Sequence, residues 1–228
     1  MAHLLSLIVL LAGALLLVDF KQLRERQFLG VGDHIWFVIS LVVPIAHQVY
    51  VWLAWRCELC FGAVTKRFGV RGFAVYEIAF FVLFLSRPVS LVLLAIADHD
   101  SFELSIPARG VICLILGLPA VYTFYSVIRY FGMARAAGID HFDESYRNKT
   151  LVMKGVFRFT SNSMYSFAFL IFWIIAVAAA SWAAVVVAAF SHAYIWVQFF
   201  CTERPDMEAI YGQGDRRLDA RVSSAPQE

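Results

Sequence analysis

Apolar residues in this chain come as long blocks divided by short polar segments, and the block lengths set the first expectations. The block from Leu4 to Val18 contains Ala12-Gly13-Ala14, the small-residue pattern of a leader cleavage site. No basic residue precedes it and apolar residues follow, so it reads as a short retained membrane helix. Further blocks run from Ile35 to Trp55, Phe73 to Ala97 and Val111 to Phe131. Each is about as long as the ~20 residues needed to cross a hydrocarbon core. The last block, Met164 to Phe200, holds 37 residues without Asp, Glu, Lys or Arg. As one helix it would run roughly 55 Å against a core of ~30 Å. A helical hairpin is expected instead, turning at Ser181-Trp182. The pattern predicts an all-α, polytopic membrane helix bundle of five or six helices with a C-terminal helical hairpin. One domain is expected over residues 1–211, with residues 212–228 expected as a disordered cytoplasmic tail.

Charge orients this bundle. Lys and Arg number three in 21–34, four in 56–72, one in 98–110, six in 129–158 and four after Phe200. The positive-inside rule puts the 56–72 and 129–158 segments and the tail in the cytoplasm, and the Asp98-His99-Asp100 loop outside. Lys21, Arg24 and Arg26 then fall on the outer side, against the rule. With 61% hydrophobic and 16% charged residues the composition excludes an ordinary soluble domain. The net charge of +2 with no basic face gives no reason to expect a nucleic-acid partner. Cys57 and Cys60 form one C-x-x-C, but no second pair follows at zinc-site spacing, so no metal is expected.

Polar residues inside membrane spans are costly and mark sites of use. Arg87, followed by Pro88, is the basic residue deepest in a span. It is read either as pairing with Glu77 or a carbonyl in a kinked helix, or as lining a cavity. Glu77 and His47 read as helix-end or interhelical hydrogen-bonding groups. Flanking the final hairpin are the polar stretch Lys154 to Tyr165 and the segment His192 to Gly212. At 100° per residue His192, Trp196, Phe199 and Glu203 share one helical face, an aromatic stripe with a polar group at each end.

These two segments resemble the superfamily of phosphatidylethanolamine N-methyltransferases and isoprenylcysteine carboxyl methyltransferases. Gly155, Phe157, Asn162 and Tyr165 match its first motif, and His192, Glu203, Arg204, Pro205, Ile210, Tyr211 and Gly212 match its second. The Asn-x-Met-Tyr and Glu-x-Pro features lean toward the phospholipid branch. Ser163 stands where the family usually has Pro, which would fix φ there. Arg204 replaces the second Glu of a Glu-Glu pair. The Gly-x-Gly that the family places in an earlier membrane helix has no counterpart, Gly117 standing alone in its span.

The resemblance implies transfer of a methyl group from S-adenosylmethionine to a membrane lipid, most directly the amine of phosphatidylethanolamine or its mono- and dimethyl forms, with residues 149–211 as the cofactor-binding core. Asn162, Tyr165, His192, Trp196, Glu203 and Arg204 are the expected cofactor-binding residues, and Lys154, Arg158 and Arg204 the substrate-binding ones. Tyr165 and Glu203 are the expected catalytic residues. A sulfonium suits aromatic faces and a carboxylate, since a cation over a ring gains about 0.5–2 kcal/mol. An amine attacks only after losing its proton, which makes Glu203, Tyr165 and His192 candidate bases. The resemblance gives Glu203 to the cofactor's amino group and leaves Tyr165 or a water as proton acceptor. Carboxyl methylation of a prenylated cysteine, S-methylation of a thiol, and a non-enzymatic transport or scaffold role are the alternatives. A transporter would show internal repeats, and none is visible.

Overall fold

The computed structural model describes residues 2–18, 23, 26–146, 152–160 and 162–211. The expectations for Lys21, Arg24, Gly212 and the 212–228 tail lie outside these residues.

Eight α-helices make up the described chain: α1 Ala2–Leu16, α2 Asp33–Phe61, α3 Ala63–Phe68, α4 Gly72–Ala97, α5 Ile106–Ser126, α6 Met133–Ala136, α7 Leu170–Ala179 and α8 Trp182–Gln198. Two residue pairs, Gln27–Phe28 (β1) and Val31–Gly32 (β2), form a small antiparallel ribbon. Among the described residues four segments are long and apolar enough to cross a membrane: Asp33–Phe61, Ala63–Ala97, Ile106–Phe131 and Trp182–Tyr211. Ala2–Leu16 and Met164–Ala179 are shorter apolar helices. The fold is an all-α polytopic bundle, and the expected spans fall on α2, α4 and α5.

The central helix is α8, packed against α1, α2, α4 and α7. Its buried positions include Ala183, Ala184, Val187, Ala188 and Ser191. Small side chains let helix backbones approach closely where lipid supplies no hydrophobic drive for association. On the outer surface, Ile78, Val82, Leu85 and Val89 of α4 recur every three or four residues and are 57–67% exposed, the pattern of a lipid-facing stripe.

The final apolar block does fold back, with its turn one residue earlier than expected. Ala180 takes the left-handed conformation at φ 47°, and Ser181 caps α8 by accepting a hydrogen bond from the Ala184 amide. A non-glycine residue at this φ costs about 1–2 kcal/mol. The turn is held from outside by Asp98, whose Oδ2 accepts hydrogen bonds from Ser181 Oγ at 2.6 Å, Ser101 Oγ at 2.9 Å and the Ala183 amide at 3.0 Å. The acidic 98–100 loop thus supplies a buried structural anchor as well as exposed charge. Arg26 donates to the His99 carbonyl and therefore lies at this same end.

The opposite end gathers the segments on either side of the final hairpin. Residues 127–131, 164–168 and 199–203 each form a π-helical turn. Such wide turns rotate the side chains that follow and recur at functional sites.

Candidate active site

Tyr165 sits in the second π turn and Glu203 closes the third. The Tyr165 hydroxyl donates a hydrogen bond to Glu203 Oε2. The phenol ring packs against Trp196, with centroids 5.9 Å apart, and Phe199, at 5.3 Å. Trp196 of α8 and Phe199 and Glu203 of the third π turn converge on Tyr165 across the hairpin. His192 lies one rung further in, accepting from Trp173 Nε1 at 3.1 Å with its ring 5.8 Å from Phe169. Since Trp173 Nε1 can only donate, His192 Nδ1 is the acceptor and carries no proton.

The segment before Tyr165 is fixed by a few small contacts. Gly155 has φ 61°, and a Cβ there would stand 2.5 Å from Ser126 Oγ and 2.8 Å from Tyr130. Glycine is needed at this position for both its conformation and the close approach to α5. The Val156 amide donates to Ser126 Oγ at 3.0 Å. Ser163 is fully buried, and its hydroxyl donates to the carbonyls of Thr160 and, at 3.2 Å, Val156. Its φ of −55° lies within the range that proline fixes, so hydrogen bonds hold what a ring holds elsewhere. Asn162 contributes its carbonyl, which accepts from the amides of Tyr165 and Ser166 at 3.1 Å each and starts the turn.

Beyond Glu203 the chain is pinned by a cluster that sequence reasoning missed. Asp206 is fully buried, 3.0 Å from Arg56 and 3.4 Å from His141 Nε2. The His141 ring stacks on Trp55 at 4.2 Å. Tyr211 donates to Asp140 Oδ1 at 2.8 Å, and Arg135 lies 3.6 Å from the same carboxylate. Gly138 has φ 86° and a Cβ there would lie 2.4 Å from Trp55, so glycine is required to bring this loop onto α2. The only sequence signal was the density of His, Asp and Arg between residues 135 and 141.

A cavity of about 330 Å³ opens from the Tyr165–Glu203 pair into the bundle. Its walls are largely aromatic and aliphatic, with His47, Gln48, Arg87, Gln198, Tyr165 and Glu203 as the polar lining. Arg87 faces His47 and the rings of Phe169 and Phe172, with Glu77 not among its contacts. Of the sequence-derived set, Tyr165 and Glu203 line this cavity, while Trp196 and His192 stand behind them. Lys154, Arg158 and Arg204 are exposed at the same end. Arg158 lies over Phe159, and Arg204 pairs with Glu208 one turn on, at 3.1 Å.

Residues 106–214 match the family model of phospholipid methyltransferases. The match covers the part of the chain that carries Tyr165 and Glu203, and together with the four long apolar helices it supports a methyltransferase held in a membrane. No curated protein and no solved structure matches the chain significantly.

Proposed function

We propose that the protein transfers a methyl group from S-adenosylmethionine to the amine of phosphatidylethanolamine or its partly methylated forms. The observation that carries this reading is a carboxylate, Glu203, held by a tyrosine hydroxyl among three aromatic rings at the mouth of an apolar cavity. The buried side-chain amide of Gln198, in the cavity wall, has no hydrogen-bond partner, so a polar group remains for a bound molecule. These groups fit the donor. When bound, S-adenosylmethionine supplies an electrophilic methyl on a cationic sulfur.

Glu203 attracts the cationic amino acid portion of that donor, and the rings of Tyr165 and Trp196 suit the sulfonium. His192 and Trp173 hold the aromatic wall. Tyr165 receives the proton of the attacking amine and passes its own to Glu203, so charge is not left on the phenol. Positioning nucleophile and methyl carbon in line contributes much of the rate, and the rigid hairpin serves that end. Lys154, Arg158 and Arg204 form an outer basic rim that draws the lipid phosphate, and Asn162 supports the donor site through its backbone. The positive-inside count puts this end of the bundle in the cytoplasm, where the donor is made available.

The test is incubation of the purified chain with methyl-labelled S-adenosylmethionine and, separately, phosphatidylethanolamine, a prenylated cysteine and a small thiol. Label in methylated phosphatidylethanolamine is expected. Label confined to the ester or thioether would select one of the other branches.

A further inference from the structure

Arg87 occupies the inner part of the same cavity. It is 3% exposed, and its guanidinium rests on Phe169 at 4.9 Å and Phe172 at 5.3 Å. One amino nitrogen reaches His47 Nδ1 at 3.4 Å, while Nε and the other amino nitrogen have no hydrogen-bond partner. Among the described residues no carboxylate lies within ion-pair distance of it. A guanidinium stays charged in a protein interior, and a buried charge without a counterion costs several kcal/mol. Because Arg87 can only donate, His47 Nδ1 accepts, which leaves the proton on His47 Nε2. That N–H is also buried and unpartnered, as is the amide nitrogen of Gln48. Three neighbouring side chains in the cavity wall thus present unused donors around one positive charge.

The walls select the kind of anion. Leu85 of α4 and Ile128, just beyond α5, line the cavity and are 58% and 69% exposed on the lipid-facing surface. The cavity therefore reaches that surface between α4 and α5, two helices that each pack on α7 rather than closely on one another. Phe80, Phe81 and Phe84 continue the apolar wall. A small soluble anion has no use for such walls, whereas an amphiphile arriving sideways from a bilayer has.

We propose that Arg87, with His47 and Gln48, seats the phosphate oxyanion of a zwitterionic phospholipid that enters between α4 and α5. This deepens the phospholipid reading above and rests on it. Tyr165 holds Glu203, and four to seven residues further along the same helical segment Phe169 and Phe172 hold Arg87, a separation of roughly 6–10 Å at 1.5 Å per residue. A headgroup lying with its phosphate toward Arg87 brings its amine toward Tyr165, the hydroxyl that takes its proton. The exposed basic rim then draws the lipid in, and Arg87 fixes its register. Arg87 is in this account a specificity-determining residue that touches substrate without taking part in proton transfer.

The test uses the full chain in detergent micelles with no methyl donor present, so it does not depend on methyl transfer. Affinities are measured by calorimetry for short-chain phosphatidylethanolamine, for an amine with the same acyl chains but no phosphate, for inorganic phosphate and for S-adenosylhomocysteine. The native protein is expected to prefer the phospholipid over the phosphate-free amine by roughly tenfold or more, as befits a charge-assisted contact. Arg87→Gln should erase that preference while leaving the affinities for the amine and for S-adenosylhomocysteine unchanged. Arg87→Lys keeps the charge without the fork, should retain part of the preference, and carries the test if the glutamine variant does not fold. A native protein without the preference, an unchanged phospholipid affinity in the variants, a loss confined to S-adenosylhomocysteine, or tight binding of inorganic phosphate with no phospholipid preference would each overturn the assignment. An intact preference alongside absent methyl transfer would instead sink the enzymatic reading and leave the phosphate seat standing.

Discussion

The hydroxyl of Tyr165 donates a hydrogen bond to the carboxylate of Glu203 across the mouth of the final hairpin. A phenol in this arrangement cannot accept a second proton unless its own moves on, and the carboxylate is where it goes. The pair thus works as a unit, and the two residues should fail in different ways when altered.

Glu203→Gln keeps a hydrogen-bond acceptor for Tyr165 but removes the negative charge. Affinity for S-adenosylhomocysteine, which retains the donor's amino group, should fall by roughly tenfold or more, about 1.4 kcal/mol. Thermal unfolding in detergent should change little. Calorimetry on the folded variant that finds native affinity would take Glu203 out of the donor site.

Asp206 carries a structural load three residues past Glu203. Asp206→Asn leaves Arg56 and His141 without their buried carboxylate, and loss of one partner of a buried pair costs up to 3–5 kcal/mol. Arg56 is 38% exposed and recovers some hydration, so about 2–3 kcal/mol is expected. The thermal midpoint in detergent should drop, and methyl transfer should drop with it because the turn carrying Glu203 loses its tie to α2. A variant as stable as the native protein would show that the cluster does not hold the segment.

At the far end, Asp98→Ala removes the acceptor of three hydrogen bonds that hold the Ala180 turn. The expected loss is about 2–4 kcal/mol, since each donor left unsatisfied costs about 1–3 kcal/mol and some gain water. Asp98→Asn should cost less, because its amide oxygen still accepts. Affinity for S-adenosylhomocysteine should be retained, as the site lies at the other end of the bundle. Equal stability of all three proteins, read by chemical denaturation in mild detergent, would contradict this role.

The bundle was legible in the sequence because block length and charge speak directly about crossing a membrane. The hairpin was legible for the same reason: 37 uncharged residues are too many for one span. Its turn was harder to place, because Ala180 adopts a conformation usually left to glycine and depends on Asp98, over 80 residues earlier. The grouping of Trp196, Phe199 and Glu203 was legible from helical spacing, although the π turn that carries Phe199 and Glu203 leaves no such trace. Ser163 looked like the loss of a conformational lock, yet its buried hydroxyl restores the proline-like φ through two carbonyls. Asp206, His141 and Arg56 went unnoticed because their relationship exists only after three distant segments meet. Arg87 was visible as a costly residue, and only the packing revealed that it faces a cavity with no carboxylate beside it.

The most direct measurement is kcat for methylation of phosphatidylethanolamine by Tyr165→Phe at saturating donor, with donor affinity measured on the same preparation. The ring and its contacts with Trp196 and Phe199 remain, so packing loss should be small. If Tyr165 relays the amine proton to Glu203, kcat should fall by roughly 10²-fold or more while donor affinity stays near native. A phenylalanine variant with near-native kcat would contradict the account and reduce Tyr165 to a packing residue of the aromatic wall.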